Sequence, residues 1–179
     1  MTTNERATIK PRPLGKREQV ILADRHDSTG HHLRLASVAP DVTVTSSQVD
    51  ARIACAGMAP TVTSSGVNAR IALAGHGSRV TATGRSPFIA CAGQDAVVTV
   101  ADGARVAVAR AGAVIDAGDD CVVVCAEPPG KFRVGERSRI AIVQYPGHPG
   151  SGFLTLTAGA EIEPRRWYMV RDAELVEAP

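Results

Sequence analysis

Residues 50–57 read DARIACAG, residues 68–75 read NARIALAG and residues 86–93 read SPFIACAG, so Ile53, Ile71 and Ile89 recur every 18 residues. Self-similarity at a fixed period is the signature of a stacked repeat fold. The apolar pair Ile53/Cys55 returns as Ile71/Leu73, Ile89/Cys91, Val106/Val108, Val123/Cys125 and Ile140/Ile142. Within each pair apolar residues alternate with small ones, which is the period of a half-buried strand. A second strand falls half a period later, at Val62/Ser64, Val80/Ala82, Val98/Val100 and around Val114. The pattern predicts an all-β, two-sheet β-solenoid (β-helix) with coils of about 18 residues and capped ends. A left-handed hexapeptide helix needs an apolar anchor every six residues, and Ala59, Ser65 and Gly77 occupy those places instead. Gly57, Gly66, Gly75, Gly84 and Gly93 fall at turn spacing and argue against helices.

The 179 residues are 44% apolar but only 3% aromatic, which suits a narrow core of Val, Ile, Ala and Cys. The formal charge of +2 suggests neither a nucleic-acid coat nor an acidic mimic of one. Cys55, Cys91 and Cys125 fall on one inward column, two coils or about 9–10 Å apart, too far for a disulfide. They read as small buried hydrophobes in a reducing, cytoplasmic setting.

Four segments follow along the chain. Residues 1–19 form a basic tail, with Arg6, Lys10, Arg12, Lys16 and Arg17 against Glu5 and Glu18. It holds no apolar stretch of signal-peptide type, and no transmembrane run is expected anywhere. Residues 20–48 are expected to make an N-terminal cap and first coil. Strands are placed at 20–23 and 33–36 with a turn at 24–30, as a hairpin or an imperfect coil, and Val42/Val44 supplies the second sheet. Residues 49–144 make the regular coils. Residues 145–179 form a C-terminal cap, with a long turn at 145–152 and strands at 153–157 and 167–170. The only Trp, both Tyr and two of three Phe lie beyond residue 130, which suggests rings plugging the open core.

The repeats ARIACAG and ARIALAG, followed by WYMVRDAELVEA at the end of the chain, resemble a family of uncharacterised phage- and prophage-associated repeat proteins. Those end in a domain of unknown function with a WYxVxDGxLV pattern. Trp167, Tyr168, Val170, Asp172, Leu175 and Val176 match it, and Ala173 stands where the family has Gly. The resemblance covers roughly residues 50–178. It implies a viral or mobile-element origin and a repeat fold, and carries over neither an activity nor site residues.

Candidate sites are surfaces. The outward column before each inward anchor is Arg52, Arg70, Phe88, Arg105, Val122 and Arg139, with Phe88 placed to stack on two guanidinium groups. Beside it run two small-residue columns, Ala54, Ala72, Ala90, Ala107 and Ala141, then Ala56, Ala74, Ala92, Ala109 and Ala126. Such residues let another flat surface approach closely. A threonine ladder of Thr43, Thr63, Thr81 and Thr99, with Thr45, Ser65 and Thr83 alongside, resembles an ice-binding face, although threonine is also an ordinary strand residue. Asp24, His26, Asp27, His31 and His32 are metal-capable types, but their spacing fits no helix-based zinc site and suits a polar turn. No phosphate loop, nucleophile elbow or paired catalytic motif is present.

Non-catalytic recognition through a sheet face is therefore expected, with neither metal nor cofactor. The candidate face is Arg52, Arg70, Ala72, Ala74, Phe88, Arg105 and Arg139. Its partner is a protein or a second copy of the chain, not a membrane, in the service of modulating a host process. The alternative is an anionic small molecule such as a nucleotide, or nucleic acid, on the arginine stripe. Ice binding is the third reading.

Overall fold

The computed structural model describes residues 33–143, 152–172 and 174–179, together with the backbone of residues 19–20 and 25–28. In chain order the strands are β1 (Gln19–Val20), β2 (Arg25–Ser28), β3 (Arg34–Ser37), β4 (Thr43–Ser46), β5 (Arg52–Cys55), β6 (Thr61–Ser64), β7 (Arg70–Leu73), β8 (Arg79–Ala82) and β9 (Phe88–Cys91). They continue as β10 (Val97–Val100), β11 (Arg105–Val108), β12 (Val114–Ala117), β13 (Val122–Cys125), β14 (Lys131–Val134), β15 (Arg139–Val143), β16 (Phe153–Thr157), β17 (Tyr168–Arg171) and β18 (Glu174–Glu177). The odd strands β1 to β15 stack in parallel as the first sheet, which β16 closes in the antiparallel sense. The even strands β2 to β14 form the second sheet, closed by the antiparallel pair β17–β18. The chain is an all-β, two-sheet β-solenoid with parallel coils of about 18 residues.

Register follows the repeat. Ile53 pairs with Ile71, Ile71 with Ile89 and Ile89 with Val106, so identical positions stack coil upon coil. Alternation sends Ile71 and Leu73 inward and leaves Arg70 and Ala72 outside. Facing them, Val44, Val62, Val80, Val98, Ile115 and Phe132 line the other wall of one continuous core. In β12 the inward pair is thus Ile115/Ala117; Val114, the expected anchor, points outward and is half-buried.

Both corners of the coil turn on a left-handed residue. Before β5, β7, β9, β11 and β13 these are Asp50, Asn68, Ser86, Gly103 and Asp120, with φ of 55°, 57°, 55°, 70° and 55°. Their N–H groups donate to the next coil, Asp50 to the Val67 carbonyl at 2.9 Å and Asn68 to the Arg85 carbonyl at 2.9 Å. Asp41, Ala59, Gly77 and Asp95 do the same before the second-sheet strands, and Gly112 takes the same conformation there. Gly, Asn and Asp tolerate this region, whereas Ala59 occupies it against its preference. After the first-sheet strands the coils approach too closely for any side chain: a Cβ on Gly75 would lie 1.8 Å from the Gly57 carbonyl oxygen.

The period shortens to 17 at a single corner. Val80 to Ile89 spans nine residues, and Val98 to Val106 spans eight. In the shorter corners Asp102 Oδ1 accepts the Asp119 N–H and Asp119 Oδ1 accepts the Glu136 N–H, each at 2.9 Å. A carboxylate thus takes a donor that the tightened backbone no longer serves.

Both ends differ in detail from the sequence expectation. β1 pairs in parallel with β3 and β2 with β4, so the N-terminal segment is an imperfect coil and not a hairpin. Arg25–Ser28, read as part of a turn, is a strand; residues 21–24 lie outside the described residues. At the C-terminal end the plug is aliphatic, made by Leu156, Ala158 and Ile162. Among the rings, Phe132 is buried in the last coil and Tyr168 packs near it, with centroids 6.1 Å apart. Phe153 is 73% exposed, and Trp167 lies outside against Lys131 and Arg133, whose cations stand 4.9 and 4.8 Å from its ring. A flattened core filled by Ile and Val leaves little width for a ring. The long turn expected at 145–152 lies outside the described residues except for Gly152.

Two substitutions test this construction. Ile71→Asp places an unpaired charge between Ile53 and Ile89, costing several kcal/mol against a total stability of about 5–15 kcal/mol. Loss of the folded state in circular dichroism is expected; wild-type melting would refute the inward register. Ala59→Gly relieves the left-handed residue, with φ of 47°, and should raise stability by about 0.5–1 kcal/mol. A lower melting temperature would show that this corner carries no strain.

Candidate functional site

The outer face of the first sheet holds all seven residues singled out from the sequence. Arg52, Arg70, Phe88, Arg105, Val122 and Arg139 stack in one column through the pairings of β5, β7, β9, β11, β13 and β15. Ala72 lies in the next column and Ala74 in the one beyond, bonded through its N–H to the Cys55 carbonyl at 2.9 Å. Phe88 lies between two guanidinium groups, with Arg70 at 5.5 Å and Arg105 at 5.3 Å from the ring centroid. The like charges of Arg70 and Arg105 are thereby spaced two coils apart, and each gains a cation–π contact.

The columns extend further than the sequence reading placed them. Arg34, Ala36 and Val38 continue them by one coil, a signal present in the 18-residue step from Arg34 to Arg52. Val124 interrupts the first alanine column and, with Val122, leaves an apolar ridge 43% and 46% exposed. No outward position of β3, β5, β7, β9, β11, β13, β15 or β16 carries a carboxylate. Arg52, Arg70, Arg105 and Arg139 make no ion pair with a described residue. On other surfaces Arg110, Arg133, Arg137, Arg165 and Arg166 pair with Glu127, Asp116, Asp120, Asp119 and Glu163 respectively. The face is therefore a shallow apolar trough, floored by alanine and walled along one edge by the guanidinium groups of Arg52, Arg70 and Arg105.

The second sheet is different in character. Its hydroxyl ladder is Thr45, Thr63, Thr81 and Thr99, continued by Asp116 and Arg133. Thr43, first placed in that ladder, stacks instead on Thr61 in the neighbouring column, which Arg79 and Val97 then occupy. Val44 is the inward partner of Val62, 18 residues on, so Thr45 and not Thr43 begins the ladder. Both valines are buried, and the earlier one lies at the corner. At the C-terminal end of the ladder Asp116 accepts two hydrogen bonds from Arg133, at 2.7 and 2.6 Å, which raise the guanidinium pKa.

Inside, Cys55, Cys91 and Cys125 occupy one inward column, and Cys121 lies at a corner, donating its thiol to the Ala101 and Asp119 carbonyls. All four are buried and unpaired. Burial pushes the thiols of Cys91 and Cys125 up to about 12 and that of Cys55 to about 11. Among the described residues no group of three or more His, Cys, Asp or Glu is arranged to hold a metal ion, and no helix is long and apolar enough to cross a membrane. Asp24, His31 and His32 lie outside the described residues.

Comparison of the chain with protein-family models, with curated proteins and with solved structures returns no match.

The thiols provide a check on the inward column. Because the neutral form dominates until strongly alkaline pH, maleimide should label Cys55 and Cys91 only after denaturation. Reducing and non-reducing gels should look identical. The same shifts lower stability as pH rises above 9.0, where unfolded thiols ionise and folded ones do not. Rapid labelling in the native state would place the column outside.

Proposed function

We propose that the solenoid is a non-catalytic recognition scaffold that docks a protein surface on the outer face of its first sheet. The observation that carries this reading is the pairing, on one face, of alanine columns with Arg52, Arg70, Arg105 and Arg139, which make no ion pair with a described residue. Small residues let a second backbone approach closely, and a surface ridge such as Val122 and Val124 gains by being covered. Guanidinium groups along the edge can pair bidentately with carboxylates of the incoming surface. The arrangement of an apolar floor and a charged rim matches the anatomy of protein interfaces. The likeness of the repeats to phage-associated proteins makes a host protein a reasonable partner, and the role then proposed is modulation of a host process.

A second reading is favoured by the same unpaired guanidinium groups. An anionic small molecule or a nucleic-acid strand would neutralise them along the stack. Nucleotides would then raise the melting temperature in proportion to their occupancy, whereas a protein-docking face would leave it unchanged.

The experiment is a pair of single substitutions. Ala72→Glu points outward and should leave the melting temperature of the folded chain unchanged. It places a charge in the middle of the trough, where an apposed surface would desolvate it, and should abolish association in sedimentation or copurification. Thr81→Glu, on the second sheet, should leave association intact. The reverse result would move the working surface to the threonine ladder.

A further inference from the structure

We infer that the surface docked on the first sheet is an amphipathic α-helix with carboxylates along one edge, lying parallel to the stack; this rests on the docking reading above. The arginine column is charged only at intervals. In stacking order it runs Arg52, Arg70, Phe88, Arg105, Val122 and Arg139, so beyond Arg70 apolar and cationic coils alternate. Phe88 and Val122 are 38% and 46% exposed, so the apolar steps are open to a partner too. Four guanidinium groups call for carboxylates, and the two interruptions fix where along the partner those carboxylates fall. A second copy of this face supplies none.

The rise of about 4.8 Å per coil selects the partner's backbone. A strand laid along the stack presents same-side residues about every 6.7 Å and loses a whole coil of register within about three of them. A strand laid across the stack meets one coil, and so one member of the column. A helix presents one residue per turn along an edge, alternately three and four positions apart, at a mean rise of about 5.3 Å. Six such residues span about 27 Å, against about 24 Å for the five steps from Arg52 to Arg139. Centred on the column, the mismatch is about 1.5 Å at either end, which flexible arginine stems absorb. The helix edge that fits is therefore acidic at its first, fifth, twelfth and nineteenth positions, and apolar at its eighth and fifteenth.

The alanine floor suits the neighbouring apolar face of the same helix. The column of Ala56, Ala74, Ala92 and Ala109 begins at Val38 and runs on through Val143 to Phe153, and these two end residues are 67% and 73% exposed. They stand seven coils or about 34 Å apart, the length of a helix of about 22 residues. A nucleic-acid strand is a poorer occupant. It carries a phosphate at every nucleotide, so phosphates would face Phe88 and Val122 as well as the arginines. Arg70 and Arg105 already lie over the Phe88 ring, which leaves no face on which a base could stack. The alanines would also stay uncovered.

A synthetic helical peptide with glutamate and leucine at those six positions, and alanine and leucine on the adjoining face, tests the inference. Titrated with the full chain, the fluorescent peptide should bind saturably by anisotropy, and more weakly as salt is added. Proline at its tenth position, which points away from the solenoid, breaks the helix and should weaken binding by about tenfold or more. Arg105→Glu should weaken binding as much, and lysine at the peptide's twelfth position should restore it. Lysine at the fifteenth position, which faces Val122, should not. Rescue also shows that the variant is folded. Equal binding of the proline peptide would overturn the helix, and rescue by either lysine or by neither would overturn the match to the column. An unlabelled single-stranded oligonucleotide that displaces the peptide at lower concentration than the peptide itself would put nucleic acid in its place. If no peptide binds while Ala72→Glu still abolishes copurification of another protein, the docking face stands and the helix falls. If Ala72→Glu alters neither copurification nor peptide binding, both fall.

Discussion

Nine corners of this solenoid turn on a residue in the left-handed region whose N–H reaches forward to a carbonyl of the next coil. That single hydrogen bond does two things at once. It satisfies a donor that the bend would otherwise strand, and it fixes the offset between successive coils. Since the side-chain period of a strand is two, a slip of one residue at a corner would exchange inside for outside along the whole coil. Asp50 to Val67 and Asn68 to Arg85 are thus the contacts on which the isoleucine column, the cysteine column and both outer faces depend. The glycines at Gly57, Gly75 and Gly93 serve the same end from the other side, by removing the atoms that would hold the coils apart.

The two halves of the stack solve the corner differently. In the 18-residue coils the backbone alone closes it, helped by glycine. In the 17-residue coils Asp102 and Asp119 insert carboxylates, and these acids in turn attract cations: Arg165 to Asp119 at 2.8 Å and Arg137 to Asp120 at 2.6 Å. The link to Arg165 reaches from the last coils into the C-terminal cap. Acidic corners thereby help to seat the cap, and Arg133 adds to this by holding Asp116 while it packs on Trp167. Exposed pairs of this kind each contribute little. Their value lies in a network at the end of the stack, where an unprotected coil would leave strand edges open.

How much of this was legible depended on whether a residue's neighbours repeat. The first-sheet columns could be read from Ile53, Ile71 and Ile89 because one inward pair recurs with nothing apolar crowding it. The second-sheet register failed at its first coil for the opposite reason. Val42 and Val44 are both buried, one at the corner and one in the strand, so the alternation offers two equally good anchors. Aligning Val42 with Val62 puts Thr43 in the column that Thr45 occupies. The strand at Arg25–Ser28 was hidden because RHDS has the composition of a turn, and only its pairing with β4 makes it a strand. The aromatic residues misled in another way. Their position after residue 130 is a real signal of a different end, but composition does not say which side of a sheet a ring occupies. Trp167 is placed by Lys131 and Arg133, a pair of cations two residues apart that read, alone, as ordinary surface.

The difference between the two outer faces follows from what each must do for itself. On the second sheet Arg133 pairs with Asp116, Arg79 makes no ion pair with a described residue, and the hydroxyls of Thr45, Thr63, Thr81 and Thr99 can be served by water. On the first sheet Phe88 separates Arg70 from Arg105, which eases repulsion along the column but leaves both charges unneutralised. Alternation decouples this face from the core beneath it, since Arg70 and Ala72 can change without altering Ile71 or Leu73. Nothing in folding therefore requires arginines without acids, or alanines in register, on that surface. Ordinary solvent-facing strand positions would keep the same core with mixed charges and longer polar side chains. The docking proposed for this face would supply that requirement from outside the single chain.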